Sequence, residues 1–373
     1  MQRTYQYRLY PNQEQEDALD VILRQSCLLY NEALEHRRDV YKHTGQSVSY
    51  PAQWERFCED RKARLEDFGL LNATSVQQLL RRLDKSFAAF FRRLKDDETP
   101  GFPRFKPAQR YRSVEYRHGD GCKLTGDTLY VQHVGEVKVK RHRAVPEGCL
   151  KHVVLTRKAG KWFVSFQGDD GTEPAPQRTE GKAIGVDMGL HSLLAFSDGT
   201  LIDNPRWLRR SLAKLRRAQR ALARKTRFSS RWWQCKRRVE ALHSKIANQR
   251  KDYLHRLTYR MTKSFARIAV EDVSPRFMIA NRHLALSASD AAWTLFNSML
   301  DYKAERAGCV VVEVDAKHTS QACSGCGHIE KKRLSQRWHS CRCGTELDRD
   351  VNAAVNILNK ARCEPTELNV ACS

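Results

Sequence analysis

The sequence predicts an α+β chain of several domains, with helices and a small β-barrel in the first half and a mixed α/β unit in the second. Three observations predict it. Short alternating segments between glycine-containing turns fill residues 114–166. From residue 182 onward, apolar strands alternate with long helices. Four cysteines gather at Cys323, Cys326, Cys341 and Cys343, the pattern of one metal site. With 373 residues, 41% of them hydrophobic, the chain can build two or three cores.

Residues 3–9 alternate as a strand, ended by Pro11-Asn12. Helical spacing then runs through Ala18, Val21, Ile22, Cys27, Leu28, Tyr30 and Leu34. A second helix is expected over about residues 75–94, with N-caps available between Asn72 and Ser75. Val76, Leu79, Leu80, Leu83, Phe87, Phe90 and Phe91 share one side of it as bundle core. Pro100-Gly101-Phe102-Pro103 ends that pattern. Strands follow at 114–116, 128–131, 137–139, 152–155 and 162–166, with a hairpin turn at Ala159-Gly160. Gly168 to Gly181 has the composition of a linker.

Strands at 182–187, 191–196 and 200–202 open the second half. Two basic helices come next, broken between Thr226 and Ser230, with Ser229 or Ser230 as cap. A strand at 267–273, a helix over 289–307, a strand at 309–314 and a helix over 350–361 complete it. The order β-β-β-α-β-α-β-α is that of a ribonuclease H-like domain, and the cysteine cluster is an insertion before its last helix.

The formal net charge is +23 and the pI about 9.7, which points to a polyanionic partner. The charge is concentrated. Residues 205–267 hold 21 Lys or Arg against only Glu240 and Asp252, or +19 in 63 residues. Arg209, Arg210, Lys214, Arg216, Arg217, Arg220, Arg224, Arg231, Lys236, Arg237 and Arg238 suit phosphate contact. Trp232 and Trp233 among them suit base stacking or core packing. No apolar signal core opens the chain and no apolar run reaches 18 residues, so no membrane span is expected. The scattered layout of the other cysteines fits a reducing cytoplasm rather than a disulfide framework.

Three carboxylates carry the candidate chemistry: Asp187 in Gly-Val-Asp-Met-Gly, Glu271 in Ala-Val-Glu-Asp-Val, and Asp350 in Asp-Arg-Asp-Val-Asn-Ala-Ala. In a ribonuclease H-like plan they fall on the first strand, the fourth strand and the last helix, which are neighbours. Phosphodiester hydrolysis needs an activated in-line water and a stabilised leaving oxygen, which two hard divalent ions about 4 Å apart supply. Mg²⁺ takes carboxylate oxygens and water. An unpaired Asp187 in its apolar strand would be costly to bury. The sequence leaves two ambiguities, since Asp272 adjoins Glu271, and either Asp348 or Asp350 can cap the last helix. Four thiolates as Cys-x-x-Cys and Cys-x-Cys, fourteen residues apart, suit a closed tetrahedral Zn²⁺ site, in which His339 or His328 can stand in for one thiolate.

At these residues the chain resembles the TnpB (OrfB) family of transposon-encoded proteins, relatives of the type V CRISPR effector nucleases. The resemblance spans nearly the whole chain. It is carried by Tyr7-Arg8-Leu9-Tyr10-Pro11 with Gln15, Leu83-Asp84-Lys85-Ser86-Phe87 through Phe90-Phe91, and Gly101-Phe102-Pro103-Arg104-Phe105-Lys106. It continues through the Asp187 motif, Ile246-Ala247-Asn248-Gln249-Arg250, Val270-Glu271-Asp272, Cys323-Ser324-Gly325-Cys326-Gly327, and residues 348–357. The ordered set is specific where each motif alone is weak.

The resemblance implies a split wedge β-barrel (1–12 and 100–170) with an inserted helical recognition lobe (13–99) and a linker (171–181). It implies a RuvC-like nuclease domain (182–318), a zinc ribbon insertion (319–346), a last RuvC-like helix (347–362) and a tail (363–373). It implies an RNA-guided, Mg²⁺- or Mn²⁺-dependent DNA endonuclease with Asp187, Glu271 and Asp350 as catalytic metal ligands and a structural Zn²⁺ on the four cysteines. The implied partners are a transposon-derived guide RNA, target double-stranded DNA and the transposase of the same element, in the cytoplasm of a prokaryote at the nucleoid. Guide pairing reads sequence, while the protein reads a short adjacent motif. Thr74, Ser75, Gln77 and Gln78 are candidates to touch that motif. The short Cys341-x-Cys343 spacing departs from the family pattern. The rival readings are an RNA-guided DNA-binding regulator that does not cut, a strand-transfer transposase and a zinc-ribbon RNA-binding protein. The first requires a missing carboxylate, and none is missing.

Overall fold

In the computed structural model, residues 1–145, 150–272, 291–333 and 336–363 are described. They form two units, Met1–Thr172 and one beginning at Glu173. Expectations for Val273, for residues 289–290 of the expected helix and for the tail beyond Cys363 lie outside the described residues.

In the first unit, seven strands close into a barrel: β1 (Gln2–Tyr10), β2 (Ser113–His118), β3 (Gly121–Thr125), β4 (Thr128–Val131), β5 (Gly135–Lys140), β6 (Leu150–Lys158) and β7 (Lys161–Asp169). Their order is β1-β5-β4-β3-β2-β6-β7, so closure leaves no free edge. Alternation puts Tyr5, Tyr7 and Leu9 inside, opposite Phe166, Val164 and Trp162. The turn at Ala159-Gly160 has φ of 51° and 70°, the left-handed pair of a tight hairpin. Strand β3 is absent from the sequence reading. It is short and framed by glycines, and at Gly121 (φ 72°) an added Cβ would collide with the Asn72 side chain.

Four helices sit between β1 and β2: α1 (Gln13–Thr44), α2 (Tyr50–Ala63), α3 (Leu65–Phe68) and α4 (Ala73–Lys95). A capping box of Asn12 and Gln15 starts α1, and Gly45 (φ 69°) ends it. Along α4, Val76, Leu79, Leu80 and Leu83 are buried at helical spacing. Phe91 is a correction to the expected core face, because it is 57% exposed. The Gly101–Lys106 segment is clamped to α1, where Asn31 accepts from Lys106 N–H (2.8 Å) and donates to the Lys106 carbonyl (2.9 Å).

The second unit is a five-stranded sheet of order β10-β9-β8-β11-β12. Its strands are β8 (Ala183–Asp187), β9 (Ser192–Phe196), β10 (Leu201–Asp203), β11 (Arg267–Asp272) and β12 (Val310–Asp315). The first three form an antiparallel meander, and β8, β11 and β12 are parallel. Helices α5 (Trp207–Ala223) and α6 (Ser230–Ser264) link β10 to β11, with Ser229 as the α6 cap. Among the described residues two further helices follow, α7 (Trp293–Ala307) and α8 (Arg349–Cys363), and β13 (Trp338–Ser340) pairs with β14 (Glu346–Asp348).

The period of two sorts the sheet's faces. Ile184, Val186, Ile268 and Val270 join Leu254, Leu257 and Met261 of α6 and Phe296, Met299 and Leu300 of α7 in one core. On the other face Ala269 and Val314 meet Ile357 and Ala361 of α8. Residues 171–181, expected as a linker, are partly tied down. The Arg178 guanidinium donates to the carbonyls of Phe265 (2.8 Å) and Thr262 at the α6 C-terminus, and Ala175 N–H donates to Glu305 O at 3.2 Å. An arginine there satisfies the helix's last carbonyls. No described helix is long and apolar enough to cross a membrane.

Candidate active site and metal centre

Gly185 explains how the site is assembled. A Cβ on it would lie 2.0 Å from the Ala354 carbonyl oxygen and 2.8 Å from Leu358, so α8 rests directly on the β8 backbone. Two residues along a strand advance about 6.6 Å. Four residues back along a helix retreat about 6 Å. Moving from Gly185 to Asp187 and from Ala354 to Asp350 therefore arrives at the same place. Asp350 accordingly reaches over the end of β8, where a Cβ on Gly189 would sit 3.7 Å from Asp350 Oδ2.

Parallel pairing brings in the third carboxylate. Ala269 is opposite Gly185 and Val270 opposite Val186, so the next step sets Glu271 beside Asp187 on the α8 face. Asp272 points to the opposite face, is exposed, and acts electrostatically on Glu313. The pleat therefore puts Glu271 and Asp272 on opposite faces of the sheet. Hydrogen bonds likewise distinguish Asp348 from Asp350. Asp348 Oδ1 accepts from the backbone N–H of Asp350 (2.8 Å) and Val351 (3.3 Å), so Asp348 is the helix cap. Asp350 is left to face the strands, with Arg337 Nη1 3.7 Å from its Oδ2.

Asp187 senses the other two carboxylates. Burial, then the charges of Glu271 and Asp350, push the Asp187 carboxyl well above the usual range. Burial also raises Glu271, opposed by the Thr319 hydrogen bond and the charge of Lys360. Asp187 and Glu271, raised in this way, do not ionise cheaply unless a cation joins them. The donor set is oxygen-only, the chemistry a hard divalent ion takes, although among the described residues only the four cysteines close to metal-ligating distance of one another.

The four cysteine sulfurs are drawn closer, all ligand atoms lying within 4.8 Å of one another. Cys323 Sγ is 3.6 Å from Cys343 Sγ, and Cys326 Sγ is 3.6 Å from Cys341 Sγ. Tetrahedral Zn–S bonds of about 2.3 Å give sulfur edges of about 3.8 Å, so the cluster fits a structural zinc. Each pair sits in a tight knuckle, with Gly327 (φ 77°) N–H on the Cys323 carbonyl and Gly344 (φ 90°) N–H on the Cys341 carbonyl, both at 2.9 Å. The Cys-x-Cys spacing does not prevent convergence. Among the described residues no histidine joins the four sulfurs. His339 is buried and acts on Cys323. Burial opposes ionisation there, but the His339 contact and backbone hydrogen bonds at Cys326 and Gly325 hold the thiol down to about 5.

Several site residues escape the sequence reading. Asn352, fully buried on α8, accepts from Ser324 N–H at 2.9 Å and donates to the Ala322 carbonyl at 2.7 Å. One turn on, Asn356 donates to the carbonyls of Thr319 (2.9 Å) and Ala322 (2.8 Å). The signal was present in Asn-Ala-Ala-Val-Asn: two amides at i and i+4 in an apolar helix imply buried backbone to satisfy. Thr319 donates to Glu271 Oε1.

Of the basic set on α5 and α6, Arg209, Arg210, Lys214, Arg216, Arg217, Arg220, Arg224, Arg231, Arg237 and Arg238 are exposed. Lys236 instead lies over the rings of Trp232 and Trp233, whose centroids are 4.8 Å apart in an edge-on pair beside Phe228. In the first unit, Thr74 and Ser75 are occupied by the α4 cap, their hydroxyls donating to the Asn72 side chain (2.6 Å) and carbonyl (2.7 Å). Gln77 and Gln78 are half-buried. Gln78 lines a groove of about 530 Å³ with Arg81, Arg82, Lys85 and Lys151.

Family models match three stretches: a "Helix-turn-helix domain" at 1–46, a "Probable transposase" at 165–282, and a "Cas12f1-like, TNB domain" at 293–357. Residues 1–46 fold here as one strand and one long helix rather than a helix pair. A "Putative RNA-guided DNA endonuclease" of Streptomyces pristinaespiralis is 35% identical over 96% of this chain and 89% of its own. The "Putative RNA-guided DNA endonuclease InsQ" of Escherichia coli K12 is 30% identical over 95% and 91%. Among solved structures, the Cas12f1–sgRNA–target DNA complex aligns over 96% of this chain and 99% of that one, at 16% identity and a TM-score of 0.37. With two full-length relatives and three family models in agreement, the chain belongs to the TnpB (OrfB) family.

Proposed function

We propose that the protein is an RNA-guided, divalent-metal-dependent DNA endonuclease of a transposon, cutting guide-matched DNA beside a short motif. The observation that carries the catalytic part is the convergence of Asp187, Glu271 and Asp350 on one face of β8 and β11 beneath α8. The names of the full-length relatives carry the guided part. The meander followed by two parallel strands, with helices on both faces, supports a ribonuclease H-like, RuvC-type reading of residues 182–318 and 347–362. The closed barrel supports a wedge formed by residues 1–12 and 100–170, around an inserted helical lobe at 13–99. The cysteine pairs at 319–346 form its zinc ribbon.

Asp187, Glu271 and Asp350 hold Mg²⁺ or Mn²⁺ in this reading, and the bound ions supply water activation and leaving-oxygen stabilisation. The residues contribute in separate ways. The Gly185 contact fixes Asp350 over β8, the Asp348 cap spares Asp350 from capping, and the strand register holds Glu271 beside Asp187. The exposed cations of α5 and α6 bind nucleic-acid backbone, and Gln77 and Gln78 lie on the unit proposed to read the adjacent motif. The partners are a transposon-derived guide RNA, target duplex DNA and the transposase of the same element. A regulator that binds without cutting would not need the complete carboxylate set.

Sequencing the RNA that co-purifies with the protein supplies the guide for a matched cleavage assay. The reading predicts cutting with Mg²⁺ or Mn²⁺ and none without a divalent ion. Equal cutting of unmatched DNA, or cutting independent of divalent ions, would overturn it.

A further inference from the structure

Glu271 has a buried neighbour. Thr319 is 3% exposed and its hydroxyl is within reach of two acceptors, Glu271 Oε1 and the Ala316 carbonyl at 3.0 Å. A hydroxyl has one proton, and a carboxylate is the stronger acceptor. The proton therefore goes to Oε1, which anchors that oxygen and leaves Oε2 for another partner.

The backbone that carries the hydroxyl is held from several sides. Asn356 takes the Thr319 carbonyl and, with Asn352, the Ala322 carbonyl. Lys360 Nζ donates to the Asp315 carbonyl at 2.9 Å. His318, immediately before Thr319, has φ of 64°, a conformation that a non-glycine residue keeps only where its surroundings impose it. Three side chains of α8 thus hold the 315–322 segment in place, and that segment aims one hydroxyl at Glu271.

We propose that Thr319 is the positioning residue for Glu271, setting the carboxylate to receive the divalent cation, with Asn352, Asn356 and Lys360 holding the threonine in place. The proposal rests on the carboxylate reading above. Hydrogen-bond partners of metal ligands change metal affinity by about 10- to 100-fold when removed.

The test is Mn²⁺ binding by the full-length chain, freed of nucleic acid, followed by the electron paramagnetic resonance of free Mn²⁺. Thr319→Val keeps shape and loses the hydroxyl, whereas Thr319→Ser keeps the hydroxyl. Thr319→Ala replaces the valine variant if circular dichroism shows the latter unfolded. Valine is expected to weaken Mn²⁺ binding by about 10- to 100-fold, with serine close to wild type. In guided cleavage the valine variant should need more Mn²⁺ for half-maximal rate and recover rate at saturation. Glu271→Gln separates the two levels of the argument. If it weakens Mn²⁺ binding while Thr319→Val does not, the positioning role is overturned and the carboxylate reading stands. If serine weakens binding as far as valine, the hydroxyl is not the operative group and the proposal fails. If Glu271→Gln binds Mn²⁺ as wild type does, the carboxylate reading falls and the proposal with it.

Discussion

Replacing Gly185 by alanine sets a methyl group 2.0 Å from the Ala354 carbonyl oxygen. An ordinary carbon–oxygen contact is about 3.3 Å, so α8 or β8 must give way by about 1.3 Å. The obstacle is backbone, and no side-chain rotation relieves it. Overpacking of this kind costs about 1–3 kcal/mol. The displacement falls one helical turn from Asp350, and a shift of about 1 Å at a reacting group can cost about 10²-fold in rate. Gly185→Ala should therefore fold with a lowered urea midpoint, bind guide and matched DNA, and cut about 10²-fold more slowly under single-turnover conditions. Cleavage at the wild-type rate would refute the argument that close approach of α8 to β8 sets Asp350.

Asp348→Ala removes the α8 cap and should cost about 1 kcal/mol of stability while leaving cleavage measurable, whereas Asp350→Ala should abolish cleavage with little loss of stability. Thermal melts beside a cleavage time course separate the two residues. Because the folded Asp187 carboxyl is raised, the protonated form favours the folded state, a contribution fully present below the ordinary carboxylate range and lost as pH rises through the raised value. Without added Mg²⁺ or Mn²⁺, stability should fall over that window, and Asp187→Asn should flatten the slope. Cys326→Ser should reduce bound zinc from one per chain, read by elemental analysis, and destabilise the ribbon that Asn352 ties to α8.

Much of this was legible because period-two and period-3.6 patterns act locally. Val76, Leu79, Leu80 and Leu83 marked the buried stripe of α4, and the barrel strands alternated. What stayed hidden depended on contacts between distant residues. Asp348 and Asp350 read alike until backbone N–H groups select one as cap, and Glu271 and Asp272 until the pleat separates them. Residues 171–181 look like a linker by composition, yet Arg178 bonds carbonyls 84 and 87 positions away. Thr74 and Ser75 looked available for recognition and are used by their own helix end. Strand β3 was lost among glycines that the barrel needs for its corner. Thr319 carries no motif, and only the fold brings it to Glu271.

The most direct measurement compares wild type and Asp187→Ala, each loaded with the sequenced guide, for target binding and for cutting in Mg²⁺. Asp187 is coupled to both other carboxylates, so its loss should eliminate cutting and leave guided binding unchanged. Cutting by Asp187→Ala at the wild-type rate would contradict the assignment of chemistry to this carboxylate site.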